Sequence, residues 1–443
     1  MVQAFIVINI AIAVLIVYLG LTNSRRFLFA CAFLLPLQGL AIDLGVLLNW
    51  SKLVLPIALL LHVLRARRPF SSLARLPGRY WYFLFLAYAV IVTLINIVLG
   101  THADAIKLVA ALGAGIAQSK YRLHVQLATT ILSWGGIIAA ALFTRDEHDA
   151  DGAVKGLIAG GVFNAVFGIF GNIAERLHLP WIGTVVAAQT EGMSSFNTAG
   201  RLAGLAGEPK HAAAGFVFAL LFLFWVPKGV HSEQRPQRVW VKASILILAL
   251  LLTLSTSGMV AGAVALLFNL LAAKKQSVAI FVTLGVTLLS FVLLLGSGLF
   301  YDVLQYRLVE KVSDPGRFEY KDAAFWKAAF DHPEGLILGS GAGGGDLKLV
   351  SYLDQFYIQK GISPGYLLDE MLGDFGIIGV GLVGCFVWKV LAYLRRSPDK
   401  SLFRLILSGV FVSLLVPRFS IWGFVFVASS LVVAARSKST QRA

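Results

Sequence analysis

The stretch RLAGLAGEPKHAAAG, residues 201–215, sets Arg201, Glu208, Lys210 and His211 directly ahead of a run of mostly apolar residues that begins at Ala212. Charge placed against a hydrophobic span is expensive, and such residues are functional candidates by default. A guanidinium is planar, stays charged and bonds two oxygens at once, so Arg201 suits phosphate. Lys210 would add a point charge, and His211 a donor or a base. For both, snorkelling to lipid headgroups is the competing reading. Pro209 fits the first turn of a helix, where a missing N–H is harmless, and Glu208 before it complements the positive helix end.

Three further stretches carry groups of the same kind. In SDPGRFEYK, Arg317 opens an amphipathic pattern and Lys321 follows one turn later on the same face, which makes a second candidate patch for an anionic ligand. In SPGYLLDEMLGDFGIIGVGL, residues 363–382, Asp369, Glu370 and Asp374 stand where a polar region passes into an apolar run. They either favour a helix N-terminus or supply a general base whose pKa is raised by partial burial. Arg418, in LLVPRFSIWGF, lies at the end of an apolar run and is either a site residue or a topology anchor. The hydroxyl-rich LLTLSTSGMVAGAV, residues 251–264, reads as a tight turn whose small residues let two helices approach closely.

The elements that must position these groups are membrane spans. Of the 443 residues 58% are hydrophobic and only 14% charged, against about a quarter charged in soluble domains. Candidate spans are 4–21, 28–48, 51–64, 80–99, 124–143, 153–174, 211–227, 240–256, 258–273, 277–297, 376–394, 402–416 and 418–435. The weaker segment 104–118 is either a poor span or a helix lying at the interface. The fold class expected is an all-α polytopic membrane protein with about 12–14 spans, since ~20 apolar residues cross ~30 Å of hydrocarbon. Its parts are N-terminal spans to residue 174, a loop 175–210 with Arg201, central spans 211–297, a large loop 298–375, and C-terminal spans with a tail, 376–443.

The net charge of +15 follows the spans rather than a nucleic-acid groove. The loop 298–375 holds 12 acids and 7 bases, while the rest of the chain holds 11 acids and 31 bases, gathered in short loops and the tail. Basic loops mark the cytoplasmic side, so 175–210 and 298–375 are expected outside. This arrangement closes only if 104–118 does not cross. Within the large loop, 318–330 should form an amphipathic helix with Phe318, Ala324, Phe325, Ala328 and Ala329 on one side, and GSGAGGG, residues 339–345, a flexible run. Cys31 and Cys385 fall in apolar runs and suggest neither a disulfide nor a metal cluster. With no Walker motif, no GxGxxG and no zinc spacing, neither metal nor cofactor is expected. An activated, lipid-linked pyrophosphate sugar is the natural energy source for any synthetic step.

Taken together, these stretches resemble the O-antigen ligase and polymerase superfamily, the Wzy-type polymerases and their ligase relatives. Arg201 to Leu205 is similar to that family's Arg-x-x-x-Leu element, here continuing through Gly204, Glu208 and Pro209. TLSTSG, residues 253–258, resembles its Ser-x-Ser-Arg-Gly turn. Residues 316–345 resemble its Arg, amphipathic helix, Pro and glycine run, and residues 365–379 its His-x10-Gly element. The resemblance implies a GT-C-like, metal-independent glycosyltransferase of the bacterial inner membrane, with its site facing the periplasm. Its donor would be a glycan on undecaprenyl pyrophosphate, with the bilayer as its medium and a chain-length regulator as a further candidate partner. Arg201 would be a pyrophosphate ligand, joined by Lys210, His211, Arg317, Lys321 and Arg418. Two departures matter: Gly258 stands where the turn carries Arg, and Gly365 stands where ligases carry the catalytic His. The base role then passes to Asp369, Glu370, Asp374 or His332, which favours a polymerase over a ligase. A transporter of the same lipid is the alternative from another class.

Overall fold

The computed structural model describes residues 2–43, 47–65, 71–111, 121–176, 202–225, 236–272, 316–353, 367–397, 400–417 and 420–442. Within these, the chain is helical apart from one small hairpin. Helices α1 (Val2–Thr22) and α2 (Ser24–Leu34) precede strands β1 (Ala41–Asp43) and β2 (Leu47–Asn49), which pair antiparallel with Ile42 opposite Leu48. Helices α3 (Trp50–Arg65), α4 (Arg79–Leu99), α5 (Ala103–Ala111), α6 (Arg122–Trp134), α7 (Gly136–Phe143) and α8 (Glu147–Arg176) follow. The central group is α9 (Pro209–Phe224), α10 (Pro236–Leu252) and α11 (Thr256–Ala272). Short helices α12 (Gly316–Asp331), α13 (Pro333–Leu338) and α14 (Gly344–Leu349) lead to α15 (Leu367–Arg396), α16 (Lys400–Leu415) and α17 (Trp422–Arg442).

Four helices among the described residues are long and apolar enough to cross a membrane: Arg79–Leu99, Arg122–Phe143, Glu147–Ala174 and Leu367–Arg396. Val7–Thr22 and Pro209–Phe224 are shorter apolar helices. Large apolar side chains line the outside of α1, α4 and α15, among them Val14, Val98 and Trp388. That is the exterior of a helical membrane protein. α9 is apolar on every side, and all of it except Lys210 is buried, as befits the central helix of a bundle. Close packing rather than the hydrophobic effect holds such helices together. α2 crosses α8 at Gly156 and Gly160, where a Cβ would stand 2.2 Å from the carbonyl oxygens of Phe29 and Phe33.

The structure redraws several expected spans. The segment 28–48 is helical only to Leu34, because Pro36 ends the helix and residues 41–49 turn back as the hairpin. The span expected at 376–394 begins earlier, at Leu367, and breaks at Gly376 (φ 63°, ψ −173°). Segment 104–118 is described only as the nine-residue α5 (Ala103–Ala111). α5 joins a small separate core in which Val109 and Leu123 pack with Ala324, Phe325, Ala328, Leu347 and Leu349. That core makes α5, α12 and α14 a cap over one end of the bundle. Ala324, Phe325 and Ala328 face it as the amphipathic pattern requires. The expected span 277–297 lies outside the described residues.

Candidate functional site

The first cluster forms at the N-terminus of α9. The lead-in, which includes a 3-10 turn at Gly204–Ala206, is held by three neighbours. Leu202 N–H donates to Leu252 O at 3.1 Å, Leu205 N–H to the Asn164 side-chain oxygen at 2.6 Å, and Gly39 N–H to Leu205 O at 2.8 Å. Glu208 is the N-cap residue with extended backbone, and Pro209 occupies the first turn, as the sequence suggested. The Glu208 carboxylate does not cap the helix. Its Oε2 stands 3.1 Å from Lys210 Nζ and 3.7 Å from His211 Nε2. His211 is buried, with Nδ1 2.7 Å from Ser420 Oγ. His211 packs inside the bundle rather than reaching outward, whereas Lys210 is exposed and pairs with Glu208. The turn at 253–258 lies beside this cluster: Ser255 Oγ accepts from Gly258 N–H at 3.3 Å, and Gly258 packs against Ala213. Arg201 and Arg418 lie outside the described residues; Leu202 and Ser420 show where their neighbours are.

The second cluster joins the glycine run to the start of α15. Ser340 N–H donates to Gly373 O at 3.1 Å and Gly341 N–H to Asp374 O at 2.8 Å. The Asp374 carboxylate accepts from Gly345 N–H at 3.2 Å, at the start of α14. Gly339 has φ +82° and Gly376 φ +63°, and a Cβ on Gly339 would stand 2.5 Å from the backbone of Phe375. The run expected to be flexible is thus buried and wedged between two helices, because only glycine permits both the left-handed backbone and the contact. Asp374 is 1% exposed and holds this wedge; Glu370, one turn earlier on the same face, is also buried, and Asp369 half-buried. His332 instead sits at the exposed start of α13, 3.5 Å from Glu334. Arg317 and Lys321 belong to α12, but their side chains are outside the described residues.

The structure adds polar groups that the sequence reading missed. Arg122, at the first turn of α6, pairs with Asp346 of α14 at 3.2 Å, with the two side chains 5% and 11% exposed. His102 Nε2 lies 3.0 Å from Ser340 O, so that nitrogen carries the proton. Thr93 Oγ1 accepts from Ala342 N–H at 2.9 Å. Burial holds His102 below its usual pKa, and the nearby Lys348 and Arg122 charges push the same way. Burial likewise lowers Lys348, opposed by Glu334. Arg122 was findable, since it opens an apolar run as Arg418 closes one. His102 and Ser340 meet only through the fold, 238 positions apart.

A row of aromatic rings connects the two clusters. Phe375, Phe85, Trp134 and Trp422 succeed one another with centroids 5.4, 4.8 and 5.4 Å apart, and Trp422 follows Ser420 by two positions. Beside it runs an apolar trough of about 270 Å³ between α15, α16 and α17. Leu367, Leu368 and Met371 bound one end; Val390 and Val432 lie toward the other; Ser413 and Ser429 supply its hydroxyls. Its lining residues Met371 and Ile421 adjoin the buried Glu370 and Ser420 in sequence. Among the described residues, no three His, Cys, Asp or Glu side chains group as a metal ion would need. The chain matches no family model, and no curated protein matches it.

Proposed function

We propose that the chain is a GT-C-like membrane glycosyltransferase that polymerises surface polysaccharide. It would transfer a growing glycan from undecaprenyl pyrophosphate to a new lipid-linked repeat unit, on the periplasmic face of a bacterial inner membrane. The observation that carries this reading is the trough: an apolar slot for a polyprenyl tail, ending beside buried acid, imidazole and hydroxyl groups that suit the polar head. The expected sidedness agrees with the helix order, since α4 and α15 each have an Arg-rich end opposite the capped end. Arg201, next in sequence to Leu202, would stabilise charge developing on the pyrophosphate leaving group. Glu370 and Asp374, both buried on one face of α15, are the candidates for the base that takes the acceptor hydroxyl proton.

Purified protein given lipid-linked repeat units should produce a ladder of chain lengths, and Arg201→Ala should abolish it. Met371→Trp, which fills the trough mouth, should raise KM for the lipid-linked donor. Ladder formation unchanged in both variants would overturn this reading, and product only on addition of lipid A–core would mark a ligase. The break at Gly376 favours a second reading, because discontinuous helices are a feature of transporters. Movement of labelled lipid across proteoliposomes without bond formation would establish that alternative.

A further inference from the structure

The cap encloses a second hollow, of about 20 Å³, between α12, α13 and α14. That is room for one water-sized atom. Ser340 Oγ lines it, 1% exposed and without a hydrogen-bond partner. Lys348, half-buried, reaches the same place: its Nζ lies 1.8 Å, and Ser340 Oγ 3.6 Å, from the point where a Cβ on Gly335 would stand. Among the described residues no carboxylate forms an ion pair with Lys348. Glu334 acts on it only from the exposed rim, where it faces His332 at 3.5 Å. Buried polar groups are almost always bonded, and an ammonium drawn partly out of water needs a counter-charge. Lys348 can only donate and the Ser340 hydroxyl can donate beside it, so an acceptor satisfies both, and an ammonium without an ion pair among the described residues favours an anionic one.

We propose that this hollow seats one carboxylate oxygen of an acidic sugar, so that the glycan handled by the chain carries uronate-type residues. The inference rests on the glycosyltransferase reading and names its substrate class. The room admits a single oxygen, with the rest of a flat carboxylate at the mouth, and inorganic phosphate is the anion against which it is tested. Lys348 and Ser340 would position the glycan rather than react with it.

The test uses the full chain in lipid nanodiscs and follows acylation of Lys348 by an amine reagent, read by peptide mass spectrometry. Glucuronate should slow labelling of Lys348 and leave other lysines unchanged, while glucose should have no effect. Ser340→Ala should weaken protection about tenfold, the loss of one hydrogen bond to a charged group. Gly335→Ala should abolish protection, because its methyl takes the position of Nζ, while the thermal midpoint stays near that of the parent. Protection by inorganic phosphate but not glucuronate would overturn the proposal, and so would protection by neither, which would leave the hollow to water. Labelling requires no chain growth: lost ladders with intact protection would sink only the polymerase reading, and the reverse only this one.

Discussion

The two ends of the bundle hold charge in opposite ways. At the Arg-rich end, long cations meet carboxylates across helix surfaces. Arg25 bonds Asp151 at 2.8 Å and lies 2.7 Å from His148, Lys155 meets Asp151 at 2.7 Å, and Lys438 meets Glu147 at 2.9 Å. The cations there keep 31% to 49% of their side-chain surface in solvent. At the capped end, His102, Arg122, His211, Asp346, Glu370 and Asp374 are all buried. His102 bonds the Ser340 carbonyl, Asp374 accepts from the Gly345 N–H, and His211 lies against the Ser420 hydroxyl. Redundant, wet ion pairs anchor a helix end at little energetic consequence. Buried charge held by backbone geometry is costly to maintain, which is the reason to look for function there.

The largest contrast should come from removing one cation at each end. Arg122→Met leaves Asp346 buried without its guanidinium and should cost about 3–5 kcal/mol. Arg25→Met leaves Asp151 still paired with Lys155, and should cost no more than about 1 kcal/mol. Thermal unfolding of the two purified variants measures this directly. Equal losses would erase the distinction between the ends.

A smaller contrast lies within one helix. Gly376 has φ +63° and its Cβ would meet Ile337 O at 2.3 Å, whereas a Cβ on Gly381 meets nothing within 4 Å. Gly376→Ala should therefore destabilise by more than about 1 kcal/mol and dislodge the glycine run. Gly381→Ala should be neutral or slightly stabilising by the same measurement. If both were neutral, the wedge would not depend on the break in α15.

The contrast also explains what could be read in advance. Helix positions were legible because long apolar runs admit little else, and Pro209 and Glu208 announced the start of α9 by local rules alone. The amphipathic side of α12 was legible for the same reason, at Ala324, Phe325 and Ala328. The glycine run was misread because seven residues rich in glycine look alike whether solvated or wedged; only the partners Thr93, Gly373 and Asp374, distant in sequence, decide which. The split of 28–48 shows that an apolar run gives no warning of a hairpin beyond a single proline. His102 carried no signal, since an isolated histidine after a span reads as solvated.

His102 gives the smallest and most specific effect. Its imidazole donates to Ser340 O while buried beside Lys348 and Arg122, so the folded protein disfavours the proton that would charge it. With the folded pKa lowered from 6.5, the unfolded chain takes up a proton that the folded chain resists once the pH falls below that value. Stability should then be flat above it and fall below it, with a slope of at most about 1.4 kcal/mol per pH unit for one proton. His102→Gln keeps a donor for Ser340 O but does not titrate. It should match the parent at pH values well above 6.5 and lose less stability on acidification. Arg25→Met, at the other end, should leave the acid limb unchanged. Coincident pH–stability curves for the parent and His102→Gln would mean that the imidazole is not held neutral by the cap, and that the glycine run owes its seat to backbone contacts alone.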